Sequence, residues 1–240
     1  MGNVENPILT TVYDNYMHEP GLRTGLGFSC WIELGEETIL FDTGGDFGIL
    51  LGNMEKLGKN PEKINKIVLS HIHGDHTGGL EGILRINPKV TVYFPSSFPD
   101  EFNENLKSYG AGIREISQET KIEKGVWTTG ELGTWIKEQS LIINSPKGSV
   151  VITGCAHPGI VNILREVKRL TGREIYLVLG GFHLEGAGDS DLREIINSFR
   201  EIGVKKVAPC HCSGERAREL FREEYGNDFI DNGVGNVTGT

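Results

Sequence analysis

Positive charge is the first thing in short supply. The 240-residue chain carries 24 Lys and Arg against 33 Asp and Glu, a net charge of −9. A surface of that sign repels phosphate backbones and anionic headgroups. Nucleic acid and membranes are therefore not expected as partners, and a small-molecule substrate is. Long apolar runs are missing as well. No stretch approaches the roughly 18 apolar residues of a spanning helix, and the opening MGNVENPILTTVYDN has no basic region followed by an apolar run. A cytoplasmic location is expected. Cysteine is scarce, with Cys30, Cys155, Cys210 and Cys212 only, too few for a disulfide scaffold in a chain of this length. One residue separates Cys210 from Cys212, which is not the spacing of a zinc ribbon. Cys30 and Cys212 are expected to be buried free thiols that pack as small hydrophobes.

Glycine is plentiful, at 33 residues, and punctuates short apolar runs, the pattern of many tight connections. Strands are predicted at Ile8–Tyr13, Phe28–Leu34, Thr38–Phe41, Lys66–Ser70, Val90–Phe94, Ser140–Asn144, Ser149–Thr153, Ile175–Leu179 and Lys206–Pro209, with a hairpin around Gly35. Helical spacing marks Asp46–Leu57, Gly79–Ile86, Pro158–Leu170, Asp191–Ile202 and Gly214–Tyr225. Strands interleaved with helices imply sheets covered by helices. Pro95 to about Trp135 is the least regular part and reads as an insertion covering a site, within one domain spanning residues 1–240.

The chemistry concentrates in Ser70-His71-Ile72-His73-Gly74-Asp75-His76-Thr77-Gly78-Gly79. Three histidines and a carboxylate fall within six positions after a strand. In an extended segment His71 and His73 point to one side and can hold one divalent ion. Gly74 relaxes the backbone, so Asp75 and His76 can turn back toward a second ion. Imidazole and carboxylate suit Zn, Mn or Fe, and one or two ions are expected.

This H-x-H-x-D-H run, with Phe41-Asp42-Thr43-Gly44 upstream, resembles the signature of the metallo-β-lactamase superfamily. The resemblance implies an α/β fold, a four-layer αββα sandwich with the metal site along one edge of its two sheets. It implies that Asp42 supports the metal loop from behind. It also implies that His157, in Gly154-Cys155-Ala156-His157-Pro158, completes the site of His71 and His73. His211, in Pro209-Cys210-His211-Cys212, would complete that of Asp75 and His76. Many members place a bridging aspartate after a glycine where Gly154-Cys155 stands. Cys155 near the bridge, another group such as Glu138, or a weakly held second ion are the alternatives here.

Three phrases narrow the resemblance: Gly154–Ile160, Leu179-Gly180-Gly181-Phe182-His183-Leu184 and Pro209–Gly214. Together they resemble the dihydropteroate-synthase-like branch, whose archaeal members join a dihydropterin to a ribofuranosyl-aminobenzene phosphate and which also contains metal-dependent hydrolases. By that resemblance His183 acts on substrate, giving a proton or binding an oxyanion, and Asp75 orients a water. Ser213 and Gly214 open a helix whose N-terminus can receive phosphate, or Ser213 is a plain N-cap. The expected function is a metal-dependent enzyme, a hydrolase of a small phosphorylated or heterocyclic metabolite. The alternatives are a dihydropterin-condensing transferase and a non-catalytic binding module on the same fold.

Overall fold

The computed structural model describes residues 2–239, so the outermost residues of the expected domain, 1 and 240, lie outside it. Thirteen strands form two sheets among the described residues. The first holds β1 (Ile8–Tyr13), β2 (Ser29–Leu34), β3 (Glu37–Phe41), β4 (Lys66–Val68), β5 (Thr91–Pro95), β6 (Gly112–Ile116) and β13 (Val237–Gly239), in the order β13-β1-β2-β3-β4-β5-β6. The second holds β7 (Thr120–Glu123), β8 (Val126–Thr128), β9 (Leu141–Ser145), β10 (Gly148–Thr153), β11 (Ile175–Gly181) and β12 (Lys206–Cys210), in the order β12-β11-β10-β9-β8-β7. The predicted hairpin is there, with Leu34 opposite Glu37.

Side-chain alternation builds the layers. In β2, Cys30 and Ile32 face one core and Trp31 faces another. In β3, Ile39 and Phe41 join the first core while Leu40 joins the second. The other sheet does the same: Val150, Ile152, Leu177 and Leu179 enter the shared core, and Val151 and Val178 face outward. Successive side chains point to opposite faces of a strand, so the shared core is the seam between the sheets. Helices cover both outer faces. α1 (Phe47–Lys56) and α3 (Leu80–Ile86) pack on the first sheet through Leu50, Met54, Ile83 and Leu84. α5 (Ile160–Thr171), α6 (Asp189–Ile202) and α7 (Glu215–Tyr225) pack on the second through Ile163, Leu164, Leu192, Phe199 and Phe221. The result is the expected four-layer αββα sandwich.

Two expectations are corrected. Pro95–Trp135 is not an irregular insertion. It contains a helix, α4 (Asp100–Tyr109), and the strands β6, β7 and β8, which are edge or near-edge strands of the two sheets. These strands are three to five residues long and partly exposed, so they lack the apolar runs that mark the central strands. Ser213 is not the N-cap of α7 either. Gly214 holds that position, while the Ser213 hydroxyl donates to the Cys210 carbonyl at 2.7 Å and accepts from Phe182 N–H at 3.1 Å. α1 is capped by Asp46, which accepts from Ile49 N–H at 2.8 Å.

β3 and β4 run parallel, as do β10, β11 and β12. Their C-terminal ends carry Asp42, the His71–His76 loop, Cys155 and His157, His183, and His211. One edge of the sandwich thus collects these residues, and Glu138 joins them from the loop between β8 and β9. No helix among the described residues is long and apolar enough to cross a membrane.

Candidate metal centre

β4 delivers Ser70 and His71 fully buried. His73 then caps a single helical turn, α2 (Gly74–Thr77), which swings Asp75 and His76 back over the strand end. Backbone bonds fix the turn: Thr43 N–H and its hydroxyl both donate to the His76 carbonyl, at 2.7 and 3.0 Å, and Phe28 N–H donates to the Asp75 carbonyl at 3.3 Å. A side chain on Gly27 would collide with that carbonyl, its Cβ falling 2.0 Å from the oxygen. Two sets of donor atoms result. His71 Nε2 and His73 Nδ1 stand 3.0 Å apart, and His157 packs its ring against both, with centroids at 4.8 and 5.0 Å. Asp75 Oδ2, His76 Nε2 and His211 Nε2 form a triangle with sides of 3.4, 3.3 and 3.2 Å.

These sets fit divalent ions. Donors around a tetrahedral ion with bonds of roughly 2.0–2.1 Å stand about 3.3 Å apart, which is the spacing of the triangle. The His157 Nε2 is buried without a hydrogen-bond partner, a costly arrangement unless a ligand uses it. The tautomers are preset too. Asp42 Oδ2 lies 2.7 Å from His76 Nδ1 and accepts the Ser70 hydroxyl at 2.7 Å, while Oδ1 accepts Ser70 N–H at 2.6 Å. With its hydroxyl proton committed to Asp42, Ser70 Oγ accepts from His71 Nδ1 at 2.9 Å. Asn15 Oδ1 faces His211 Nδ1 at 3.0 Å. Each of these three rings therefore has its Nδ1 engaged from behind and turns Nε2 inward, the orientation that metal-ligating imidazoles obtain from such partners.

Cys155 sits at the junction. Its sulfur is 3.3 Å from both His76 Nε2 and His211 Nε2, and it groups with His71 and His76 as a third possible donor set. The thiol thus lies next to donor atoms of both sets. Glu138 plays a different part. Its Oε1 accepts backbone N–H bonds from Gly154, Cys155 and Ala156 at 3.1, 3.0 and 2.9 Å, and Oε2 accepts that of His157 at 2.9 Å. It belongs to none of the donor groups; it holds the loop that carries Cys155 and His157.

The electrostatics follow from the crowding. Burial pushes the His71 imidazole far below its ordinary value, helped by the neighbouring His76 and His157 charges, and burial and His183 bring His157 down to about 4. Burial also opposes charge on His76, but Asp42 and Asp75 outweigh it and raise the group to about 10. His211 rises to about 9 despite burial, through its bond to Asp75. Burial likewise opposes the Asp75 charge, yet the bonds from His211 and His76 hold its carboxyl well below the usual range. His183 lies exposed on the rim, 4.5 Å from His157 between ring centroids. The Cys212 sulfur beside it raises its pKa.

Four non-glycine residues here adopt positive φ: Asp42 at 56°, Ala156 at 64°, His183 at 54° and His211 at 51°. Such conformations cost on the order of 1–3 kcal/mol each and persist where surrounding bonds over-determine them. Gly154 is needed for space, since a Cβ there would lie 2.1 Å from Ser70 Oγ and 3.1 Å from Asp42 Oδ2.

Over residues 22–211 the chain matches the family model of the Metallo-beta-lactamase superfamily. The chain belongs to the metallo-β-lactamase superfamily. Among the superfamily's curated proteins it is 30% identical to the 7,8-dihydropterin-6-methyl-4-(β-D-ribofuranosyl)-aminobenzene-5′-phosphate synthase of Methanocaldococcus jannaschii, over 95% of each chain. Its fold is similar to the crystal structure of a metal-dependent hydrolase of the β-lactamase superfamily, with a TM-score of 0.81 and 28% identity over 97% of this chain and 98% of that one. It also overlays the metallo-β-lactamase-fold protein YhfI of Bacillus subtilis at a TM-score of 0.75, with 14% identity over 98% and 99% of the two chains.

Sequence reasoning missed several residues of this superfamily site. Asn15 and Ser70 orient the His211 and His71 rings from β-strand ends, and Asp14 accepts His211 N–H at 3.4 Å through a carboxyl that burial pushes up to about 6. None carries a local pattern. Cys212 departs from the expected buried thiol: it is half-buried and stands with Cys155 and His183 as a further donor group. Its spacing from His211 was the available signal. Cys30 is fully buried with its thiol free, as expected.

Proposed function

We propose that this protein is a metal-dependent enzyme holding two divalent ions, zinc by the chemistry of the donors. His71, His73 and His157 would hold one ion, and Asp75, His76 and His211 the other. The observation that carries this is the 3.2–3.4 Å triangle of Asp75, His76 and His211, with its imidazole tautomers set by Asp42 and Asn15. A pair of ions so placed supplies Lewis acidity, activating water near neutral pH and stabilising charge that develops on an oxygen.

The chain's own groups do the rest. Asp75 orients the nucleophile from the edge of the second donor set. His183, exposed at the rim and close to His157, donates a proton to a leaving group or binds a developing oxyanion. The substrate is a small phosphorylated or heterocyclic metabolite, and hydrolysis is the reaction read here. A second reading, group transfer to or from a dihydropterin, is favoured by the likeness to the archaeal synthase across 95% of both chains. The test is a turnover screen of the metal-loaded protein with phosphoesters, lactones, and a dihydropterin paired with a ribofuranosyl-aminobenzene phosphate. Water-dependent cleavage supports the hydrolase, and pterin condensation supports the transferase. No turnover across the panel would leave a non-catalytic binding module. The acidic composition supports a small molecule over nucleic acid or a membrane as partner.

A further inference from the structure

A cavity of about 550 Å³ lies between the turn Leu132–Ile136 and the start of α5, lined also by His157, Pro158, Asn162 and Glu166. That volume is in the range of small-molecule sites. One wall is His157, whose ring touches those of His71 and His73, so the cavity adjoins the first donor set through that residue. At its mouth stands Trp135, 94% exposed. A large aromatic left almost wholly in water contributes nothing to a core, and free Trp surface is uncommon.

The turn that carries Trp135 is held at both stems. Leu132 and Glu138 exchange backbone bonds at 2.9 and 3.0 Å, and the adjoining Gln139 donates its backbone N–H to the Ser70 carbonyl at 2.9 Å and its side-chain amide to the Leu69 carbonyl at 2.8 Å. The indole is thus presented on a short, closed turn tied to the metal loop. The opposite wall is acidic and amide-bearing. Among the described residues Glu166 is engaged by Arg169 alone, at 2.6 and 2.8 Å, and a carboxylate retains further acceptor capacity beyond two bonds. Asn162 donates to the Pro158 carbonyl at 2.9 Å.

We infer that Trp135 is a specificity-determining residue that stacks on a planar nitrogen heterocycle, whose N–H-bearing edge is read by Asn162 and Glu166 while its reacting end reaches the donor set at His157. A carboxylate wall disfavours a phosphate there, so a phosphoryl group on the same substrate lies outside this cavity. Stacking on an exposed aromatic face is tolerant of ring identity, and truncation of such a platform typically weakens ring binding substantially. The inference rests on the proposed small-metabolite site and names the part of the substrate that this cavity takes.

Calorimetric titration of the metal-loaded protein with 7,8-dihydropterin, with adenine and with ribose 5-phosphate tests it. Pterin is expected to bind wild type, to bind Trp135→Ala about 10-fold or more weakly, and to bind Trp135→Phe within about 3-fold of wild type. Glu166→Gln is expected to weaken pterin without affecting ribose 5-phosphate. Metal content and melting temperature should match wild type in every variant, because Trp135 is exposed and Glu166 is on the surface of α5. Binding of adenine but not pterin, with the same dependence on Trp135, would keep the stacking inference and remove the pterin substrate. Pterin bound equally by Trp135→Ala would overturn the inference and leave the substrate reading intact. No binding of either ring would also overturn it.

Discussion

Asp42 and His76 meet at 2.7 Å with both side chains fully buried. The carboxylate accepts three bonds in all, from His76 and from the backbone and hydroxyl of Ser70. Through Ser70 it also fixes His71, so one residue sets a ligand in each donor group. Asp42→Ala should weaken metal affinity about 10–100-fold, as the loss of such supporting bonds does, and it should affect both ions. Competition with a chromophoric chelator measures this. Unchanged affinity would reduce Asp42 to a residue of the turn after β3.

Removing His71 and His73 together should eliminate one ion and leave the other. Elemental analysis of His71→Ala/His73→Ala should give about half the wild-type metal, because the triangle of Asp75, His76 and His211 shares no donor with the pair removed. Full retention of metal would reject the assignment of the first site.

How much of this was legible beforehand follows from where the information lies. The layers came through because β2, β3, β10 and β11 are buried on both faces and read as apolar runs. β6 to β8 stayed hidden because short edge strands with exposed faces, such as Gly112–Ile116, carry little apolar signal. The donor cluster along His71–His76 was plain because strand and turn place it locally. Asp14, Asn15 and Glu138 were not, because their roles depend on contacts across the fold. Glu138 gathers four backbone N–H bonds from Gly154–His157, and no spacing rule encodes a carboxylate that serves another loop's amides.

Acid should remove the two ions in a fixed order. In the metal-free protein His76 and His211 lie raised, at about 10 and about 9, so they hold protons at neutral pH that a cation must displace. His157 is at about 4 and His71 is well below its ordinary value, so that set is already deprotonated. A raised pKa stabilises the protonated, metal-free form as pH falls below it, and metal affinity falls accordingly. Uptake of the second ion at about pH 7.5 should release about one to two protons, read by calorimetry in buffers of different ionisation enthalpy. Dialysis at about pH 6 should strip that ion first. Earlier loss of the ion at His71, His73 and His157 would contradict the charge assignment.

Cys155 gives a spectroscopic test of the junction. Its sulfur lies 3.3 Å from the Nε2 atoms of His76 and His211, close enough to join them on one ion as a thiolate. Cobalt-substituted protein should show a sulfur-to-metal charge-transfer band in the near ultraviolet, absent in Cys155→Ser. The serine variant should hold the second ion more weakly and the first unchanged. A cobalt spectrum identical in both proteins would make Cys155 a packed thiol beside the centre.

His183 should act on substrate and not on metal. It is exposed, sits at positive φ after β11, and meets the centre through the ring of His157, 4.5 Å away, and through the sulfurs of Cys155 and Cys212. Its pKa is raised by the Cys212 sulfur, with burial acting against it, so a larger fraction is protonated near neutral pH than for a free imidazole. That suits a proton donor or an oxyanion partner. His183→Ala should keep wild-type metal content while turnover falls roughly 10²–10⁴-fold, the usual contribution of a positioned acid or base. The alkaline limb of the pH–rate profile should vanish with it, since the protonated imidazole is the active form and its loss on raising pH is what that limb reports. His183→Gln should recover part of the rate without recovering the limb if hydrogen bonding to an oxyanion is the larger share. Loss of an ion from His183→Ala in elemental analysis would instead make His183 a ligand, joining Cys155 and Cys212 in the donor group they form at the rim.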